Sequence, residues 1–273
     1  MANSNRHLMR RAIALILLIV GCGGCIQYRK AYYASPINEL SNAYTSIPLH
    51  ADSLKSAYYL NSVVSAGGAN DWGHDNTFSI QTTLSGANNF RHFQAFYAAG
   101  FLLGNYEMKP FDSSRNDRTV KPAILNQFVG KKFFGGIGIS GGANVVGTFP
   151  HGSSEVRFGI ETSLFKEFGH YLEIRKKLPD SAATYIITSD VFCTAGGHLE
   201  LVPKMKWGSL AFKLSWGTVL GHQYHGSKAA ALDYVYYNIS LAPTIKRWTP
   251  YFQANFATMS NNVLFGLNYR LGK

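Results

Sequence analysis

Charge is scarce in this chain, cysteine scarcer, and long apolar runs are almost absent. Asp, Glu, Lys and Arg make up 15% of the 273 residues, too few for a coiled coil or for a chain held open by its own repulsion. Three cysteines exclude a disulfide scaffold. Beyond an N-terminal apolar run no stretch of about 20 apolar residues occurs, which excludes a helical multispanning protein. Aromatic and small residues are plentiful: 18 Phe, 16 Tyr, 4 Trp and 27 Gly. A chain of this length builds one large β domain or two ordinary ones.

Residues 1–21 read as a secretory signal. Arg6, Arg10 and Arg11 give a basic start, Ala12 to Val20 form a short apolar run, and small residues follow. That run is too short to span a bilayer as a helix. Ile19-Val20-Gly21-Cys22 also fits a lipobox, which places cleavage before Cys22 and an acyl chain such as palmitate on the protein. Cys25 is the alternative, with Cys22 standing where an aliphatic residue is usual. An ordinary cleaved signal with incidental cysteines is the plainer reading.

Without the three arginines of the signal, 23 basic residues face 15 acidic ones. Export makes nucleic acid an unsuitable partner, and no basic cluster exceeds Arg175-Lys176-Lys177. Outer-membrane lipid headgroups and lipopolysaccharide phosphates suit the excess, as does a merely solvated surface.

Residues 22–52 are polar and aperiodic and read as a lipid-anchored tether. From 53 to 273 the chain alternates with period two. Leu210, Phe212, Leu214, Trp216, Thr218 and Leu220 share one face, and Ser209, Ala211, Lys213, Ser215 and Gly217 the other. Val156, Phe158, Ile160, Thr162 and Leu164 oppose Glu155, Arg157, Gly159, Glu161 and Ser163. Val263, Phe265, Leu267, Tyr269 and Leu271 oppose Gly266, Asn268 and Arg270.

Such alternation has two homes. A soluble barrel turns its apolar faces inward, and a membrane barrel turns them outward. Length decides between them, because soluble strands run about 5–6 residues and membrane strands about 9–11. The segments here are longer than the soluble norm: 55–67, 76–86, 90–107, 131–147, 154–165, 183–203, 206–220, 232–243, 247–258 and 261–271. The expectation is therefore an all-β, antiparallel up-and-down transmembrane barrel of about ten strands. Both chain ends should then lie on the periplasmic side, with Gly196-Gly197 as a bulge that keeps 183–203 whole. Tyr58, Tyr59, Trp207, Tyr234, Tyr236, Tyr237, Trp248 and Tyr251 near segment ends read as interfacial girdles. Residues 165–178 have near-helical apolar spacing and stop at Pro179, so they form a short amphipathic helix or extend a strand.

Glu155, Arg157, Glu161, Lys213 and Arg270 form the expected polar network of the lumen, since charges on an enclosed face must pair. Catalytic, metal and cofactor sites find little support. Gly136-Ile137-Gly138-Ile139-Ser140-Gly141 matches a dinucleotide fingerprint by letter, yet Pro150 and the intervening residues leave no helix for a pyrophosphate. His222 and His225, with His74 and His151 elsewhere, lack the frame and third ligand of a metal site. Ser163 with His170 and Glu167 or Glu173 is the sole acyl-transfer grouping, without a nucleophile elbow. Cys193 reads as a small apolar strand residue.

Two stretches carry a family resemblance. Tyr32-Tyr33-Ala34-Ser35-Pro36, Ile47-Pro48-Leu49 and Lys55 resemble the start of Bacteroidetes-type outer-membrane barrel lipoproteins. Phe265-Gly266-Leu267-Asn268-Tyr269-Arg270-Leu271 is similar to the last strand of outer-membrane barrels, which the barrel assembly machinery reads. Gly272-Lys273 and the aliphatic Leu271 depart from the usual aromatic ending. The resemblance implies an outer-membrane location in a Gram-negative envelope and no known activity. The expected function is a non-enzymatic barrel lipoprotein with a structural or surface-interaction role. A narrow pore or ligand-binding barrel, and a soluble lipocalin-like lipoprotein, are the alternatives.

Overall fold

The structure is a computed structural model that describes residues 31–37, 41–49, 54–70, 74–90, 92–111, 120–149, 154–221, 224–225 and 234–272. The signal segment, Cys22, Cys25, His151 and His222 lie outside the described residues.

Thirteen strands occur among them: β1 (Tyr32–Tyr33), β2 (Ser56–Ala69), β3 (Asp75–Asn89), β4 (Phe93–Met108), β5 (Gly130–Thr148), β6 (Ser154–Phe168), β7 (Tyr185–Ile187), β8 (Val191–Met205), β9 (Gly208–Leu220), β10 (Tyr224–His225), β11 (Val235–Thr244), β12 (Trp248–Ala257) and β13 (Ser260–Leu271). Ten form a closed antiparallel barrel in the order β2-β3-β4-β5-β6-β8-β9-β11-β12-β13. It closes through β13 on β2, from Ser260 opposite Ala69 to Leu271 opposite Tyr58. Long alternating segments paired to their sequence neighbours make this the up-and-down barrel that the sequence leads one to expect.

One end carries the short connections β3–β4, β5–β6, β8–β9 and β11–β12, the start of β2 and the finish of β13. We call it the turn end. The other, the loop end, carries the long connections β4–β5, β6–β8 and β9–β11 together with the shorter β2–β3 and β12–β13 ones. There β1 pairs parallel with β7 and β10 pairs antiparallel with it. Helices α1 (Pro122–Leu125) and α2 (His170–Lys177) lie in loop-end connections.

The barrel is inside out. Phe212, Leu214 and Trp216 stand outside, whereas Ala211, Lys213 and Ser215 are buried within. Phe158, Ile160 and Leu164 on β6, and Val263, Phe265 and Leu267 on β13, likewise face out. The inward apolar faces required by a lipocalin-like fold are therefore reversed. On β9, Leu210 to Leu220 covers roughly 33 Å of strand, or roughly 25 Å along the axis at a tilt of about 40°. Tyr58, Phe90, Phe93, Phe149, Trp207 and Trp248 ring the turn end outside, and Phe133, Phe168, Tyr237 and Phe256 the loop end.

Several finer expectations change. Tyr59, Tyr234, Tyr236 and Tyr251 point inward and are buried, because strand parity outranks position along the strand. Residues 183–203 do not form one strand: β7 is a separate cap strand, and the wall begins at Val191. No bulge forms at Gly196-Gly197, where the register runs unbroken against both neighbours. These glycines make room instead. A side chain at Gly196 would strike the Tyr236 hydroxyl, and one at Gly197 the Trp216 ring lying across it. In 165–178 the first four residues finish β6, and only His170–Lys177 is helical. Gly169, at φ 115°, makes the break.

Candidate functional site

The lumen is the site, and the chain's own residues 31–37 and 41–49 occupy it. The stretch read from sequence as part of a lipid-anchored tether is, over these residues, packed against the wall. At the loop end the Ala31 carbonyl accepts from the backbone N–H groups of Thr184 (2.9 Å) and Tyr185 (3.2 Å). The Tyr32 N–H donates to Asn70 Oδ1 at 2.8 Å. Ile37 then packs against β5, where a Cβ at Gly136 would lie 2.5 Å from Ile37 Cδ1.

Further down, Ser163 donates to Ser41 Oγ (3.1 Å), and Gln253 Nε2 donates to the Asn42 carbonyl (3.1 Å). The Tyr44 ring meets that of Tyr251 at 5.4 Å. Near the turn end, Pro48 O accepts from Gln94 Nε2 (3.1 Å) and from Arg157 Nη2 (3.2 Å), and Leu49 O accepts from Asn89 Nδ2 (3.4 Å). An extended segment cannot pair all its backbone groups with itself, so the wall supplies polar side chains from β3, β4, β6, β8 and β12.

Two ionic clusters flank the segment. In the lower one Arg157 binds Glu155 (2.8 Å) and Glu200 (2.9 Å), all fully enclosed. In the upper one Lys213 Nζ lies 2.6 Å from Glu161 Oε2, and His198 Nδ1 lies 3.3 Å from the same oxygen. His198 Nε2 meets Asn144 Oδ1 at 2.7 Å. The Phe96 ring backs this cluster, 6.0 Å from Lys213 Nζ. Of the five residues expected in the network, Glu155 and Arg157 come together, as do Glu161 and Lys213. Arg270 joins neither pair and sits at the turn end.

Sequence reasoning missed Glu200 and His198, although their alternation with Leu199 and Leu201 marks both as inward. It also missed the loop-end clasp, for which no sequence signal exists. There Arg175 on α2, fully buried, pairs with Glu167 and donates to Ile187 O at 2.7 Å. Asp75 accepts from Asn70, Tyr106 and the Lys109 N–H. Tyr171 stacks on Tyr106 at 4.0 Å. Burial raises the pKa of both Tyr171 and Tyr33 well above the ordinary phenol value.

The acyl-transfer grouping does not assemble. His170 is exposed, Glu167 is committed to Arg175, and Ser163 lies in the lumen bonded to Thr194 and Ser41. Gly136 to Gly141 is plain strand. Among the described residues no group of three or more His, Cys, Asp or Glu could hold a metal ion. The arrangement clasps a peptide segment and fills the path along the axis.

No family model matches the chain, and no curated protein matches it. Among solved structures it is similar to the β domain of a Bordetella autotransporter, BrkA, at 8% identity and TM-score 0.45, covering 81% of this chain and 100% of that one. It is similar to the translocator domain of the autotransporter NalP from Neisseria meningitidis at 10% identity and TM-score 0.39, covering 81% and 90%. An outer membrane channel from Pseudomonas putida F1 is similar at 9% identity and TM-score 0.38, covering 84% and 98%. At such values the barrel assignment rests on the strand pairing itself.

Proposed function

We propose that the protein is a non-enzymatic outer-membrane barrel that holds its own N-terminal segment threaded through the lumen and presents that segment and the loops around it on the outer face. One observation carries this reading. Residues 31–37 and 41–49 extend from the β1–β7 pairing at the loop end to the Arg157 and Gln94 contacts near the turn end, inside a ring with an apolar outer belt. An apolar band of roughly 25 Å between aromatic rings matches the hydrocarbon layer. The outward face then carries the loops, and both ends of the barrel sheet lie toward the periplasm.

In this reading the acyl chain belongs to Cys22, and Cys22 belongs to the loop side. It precedes Ala31 by nine residues, a reach of at most roughly 30 Å. The anchor thus enters the outer leaflet, with lipid and lipopolysaccharide as its surroundings and the assembly machinery as the partner for β13. Metabolic palmitate labelling should disappear in Cys22→Ala. Labelling that survives would point to Cys25.

Conductance separates this reading from a pore. In planar bilayers the full chain should be silent. Sustained open currents of porin size would overturn the proposal. Threading has its own check: Ser41→Cys with Ser163→Cys, in a Cys193→Ala background, should form a disulfide in intact cells. Failure to cross-link in a correctly assembled barrel would place the segment elsewhere.

A further inference from the structure

At the turn end a cavity of about 310 Å³ opens between the threaded segment and the wall. Five cations line it: Lys204 from the end of β8, Lys206 from the β8–β9 connection, Lys246 and Arg247 from the β11–β12 connection, and Arg270 from β13. Among the described residues no carboxylate lines it, and none of the five is ion-paired. In the rest of the lumen Arg157 and Lys213 both carry carboxylate partners. This corner concentrates positive charge without compensation, which raises the local concentration of anions.

The floor points the same way. Ser46 is 4% exposed, and its hydroxyl has no partner among the described residues. Arg270 Nε is buried and likewise has none among them. Buried polar atoms of this kind are normally satisfied. Both line the same cavity. The hairpin above it is strained as well. Lys246 has φ 58° at the tip of a two-residue turn closed by Ile245 and Trp248, a place where Gly, Asn or Asp is usual. A long cation stands there instead.

We propose that this cavity binds a phosphate group, with Arg270 and Ser46 at its floor and the four turn cations at its mouth. Guanidinium and hydroxyl donors suit phosphate oxygens. The group can come from a phospholipid headgroup of the inner leaflet or from a soluble phosphorylated molecule. Trp207 at the rim and the neighbouring Trp248 set the cavity at the depth where headgroups lie. Only the lipid source rests on the membrane placement proposed above.

The test uses the full chain in detergent with two probes, inorganic pyrophosphate followed by calorimetry and phosphatidylglycerol followed by native mass spectrometry, with diacylglycerol as the phosphate-free control. Lys204→Gln/Arg270→Gln and the exposed pair Lys204→Gln/Lys206→Gln are compared with Lys131→Gln/Lys132→Gln at the loop end. Heat-dependent gel mobility reports whether each barrel is folded. Pyrophosphate affinity should fall about tenfold or more in both turn-end variants and stay unchanged in the loop-end one. Retention of phosphatidylglycerol over diacylglycerol, lost in the same variants, assigns the headgroup. Pyrophosphate binding without lipid retention assigns a soluble ligand and leaves the site standing. If neither probe binds, or if the loop-end variant loses binding equally, the proposal is overturned.

Discussion

The Tyr44 hydroxyl donates to Glu200 Oε1 at 2.9 Å, while Glu200 Oε2 receives Arg157 at the same distance. One carboxylate therefore joins the threaded segment to the barrel's lower ion cluster. Arg157 also donates to the carbonyls of Ile47 and Pro48. Arg157→Leu leaves Glu155 and Glu200 facing each other without their cation. Loss of one partner from a buried cluster costs about 3–5 kcal/mol. Urea unfolding followed by tryptophan fluorescence should show a loss of that size. A change under about 1 kcal/mol, the range of a surface pair, would mean that water reaches the cluster.

Gly136 tests the plug from the opposite wall. Ile37 occupies the volume that a side chain there would need. Gly136→Leu should push the segment off β5 without touching the outer belt. The expected outcome is a folded barrel that passes intermittent current where the parent chain is silent. A folded, silent variant would show that the segment yields elsewhere without opening the lumen.

Face direction is checked on β9. Leu214→Arg near the middle of the outer belt should cost about 2–4 kcal/mol. Single cysteines at 212, 214 and 216, in a Cys193→Ala background, should be protected from water-soluble maleimide and quenched by brominated lipid. Cysteines at 211, 213 and 215 should escape the lipid quencher. Free aqueous labelling at 212, 214 and 216 would refute the membrane reading.

The loop-end clasp should respond to alkali. Burial raises the Tyr171 and Tyr33 pKa above the ordinary 10.0 in the folded state. The unfolded chain therefore loses these protons first as pH climbs. The stabilisation is complete below about pH 10 and falls away above it. Hydrogen exchange of α2 and β7 should accelerate from about pH 10 while exchange in β13 lags behind. Tyr171→Phe, which keeps the ring but cannot ionise, should blunt that response.

Much of this architecture was legible in period-two alternation, because a strand buried on one side has only two faces to sort. Phe158 and Ile160 against Arg157 and Glu161 were enough to assign both faces of β6. Strand count followed from connection lengths. The placement of residues 31–37 and 41–49 was not legible, since a polar, aperiodic segment looks the same in water and in a polar lumen. What distinguishes them is a complement of donors such as Gln94, Asn61 and Gln253, scattered over three strands. The Glu167–Arg175 pair was hidden for another reason: Gly169 turns the chain between them, and helical spacing alone does not reveal that turn. The phosphate cavity shares this property, with lysines and arginines from two turns and the ends of β8 and β13 meeting only once the strands pair.

The seam between β2 and β13 has a consequence for the order of events in the cell. These two strands are far apart in sequence, and their pairing turns a sheet into a ring. Once that ring is shut, Tyr33 and Tyr44 are enclosed among neighbours such as Ile174, Tyr251 and the salt-linked cluster below. Packing this close favours an order in which the segment lies across the open sheet before the last strand docks, so that closure wraps a leader already in place. The molecule is then a needle threaded by building the eye around the thread. A tightly folded domain fused ahead of Ala31 should stall assembly unless it has crossed first.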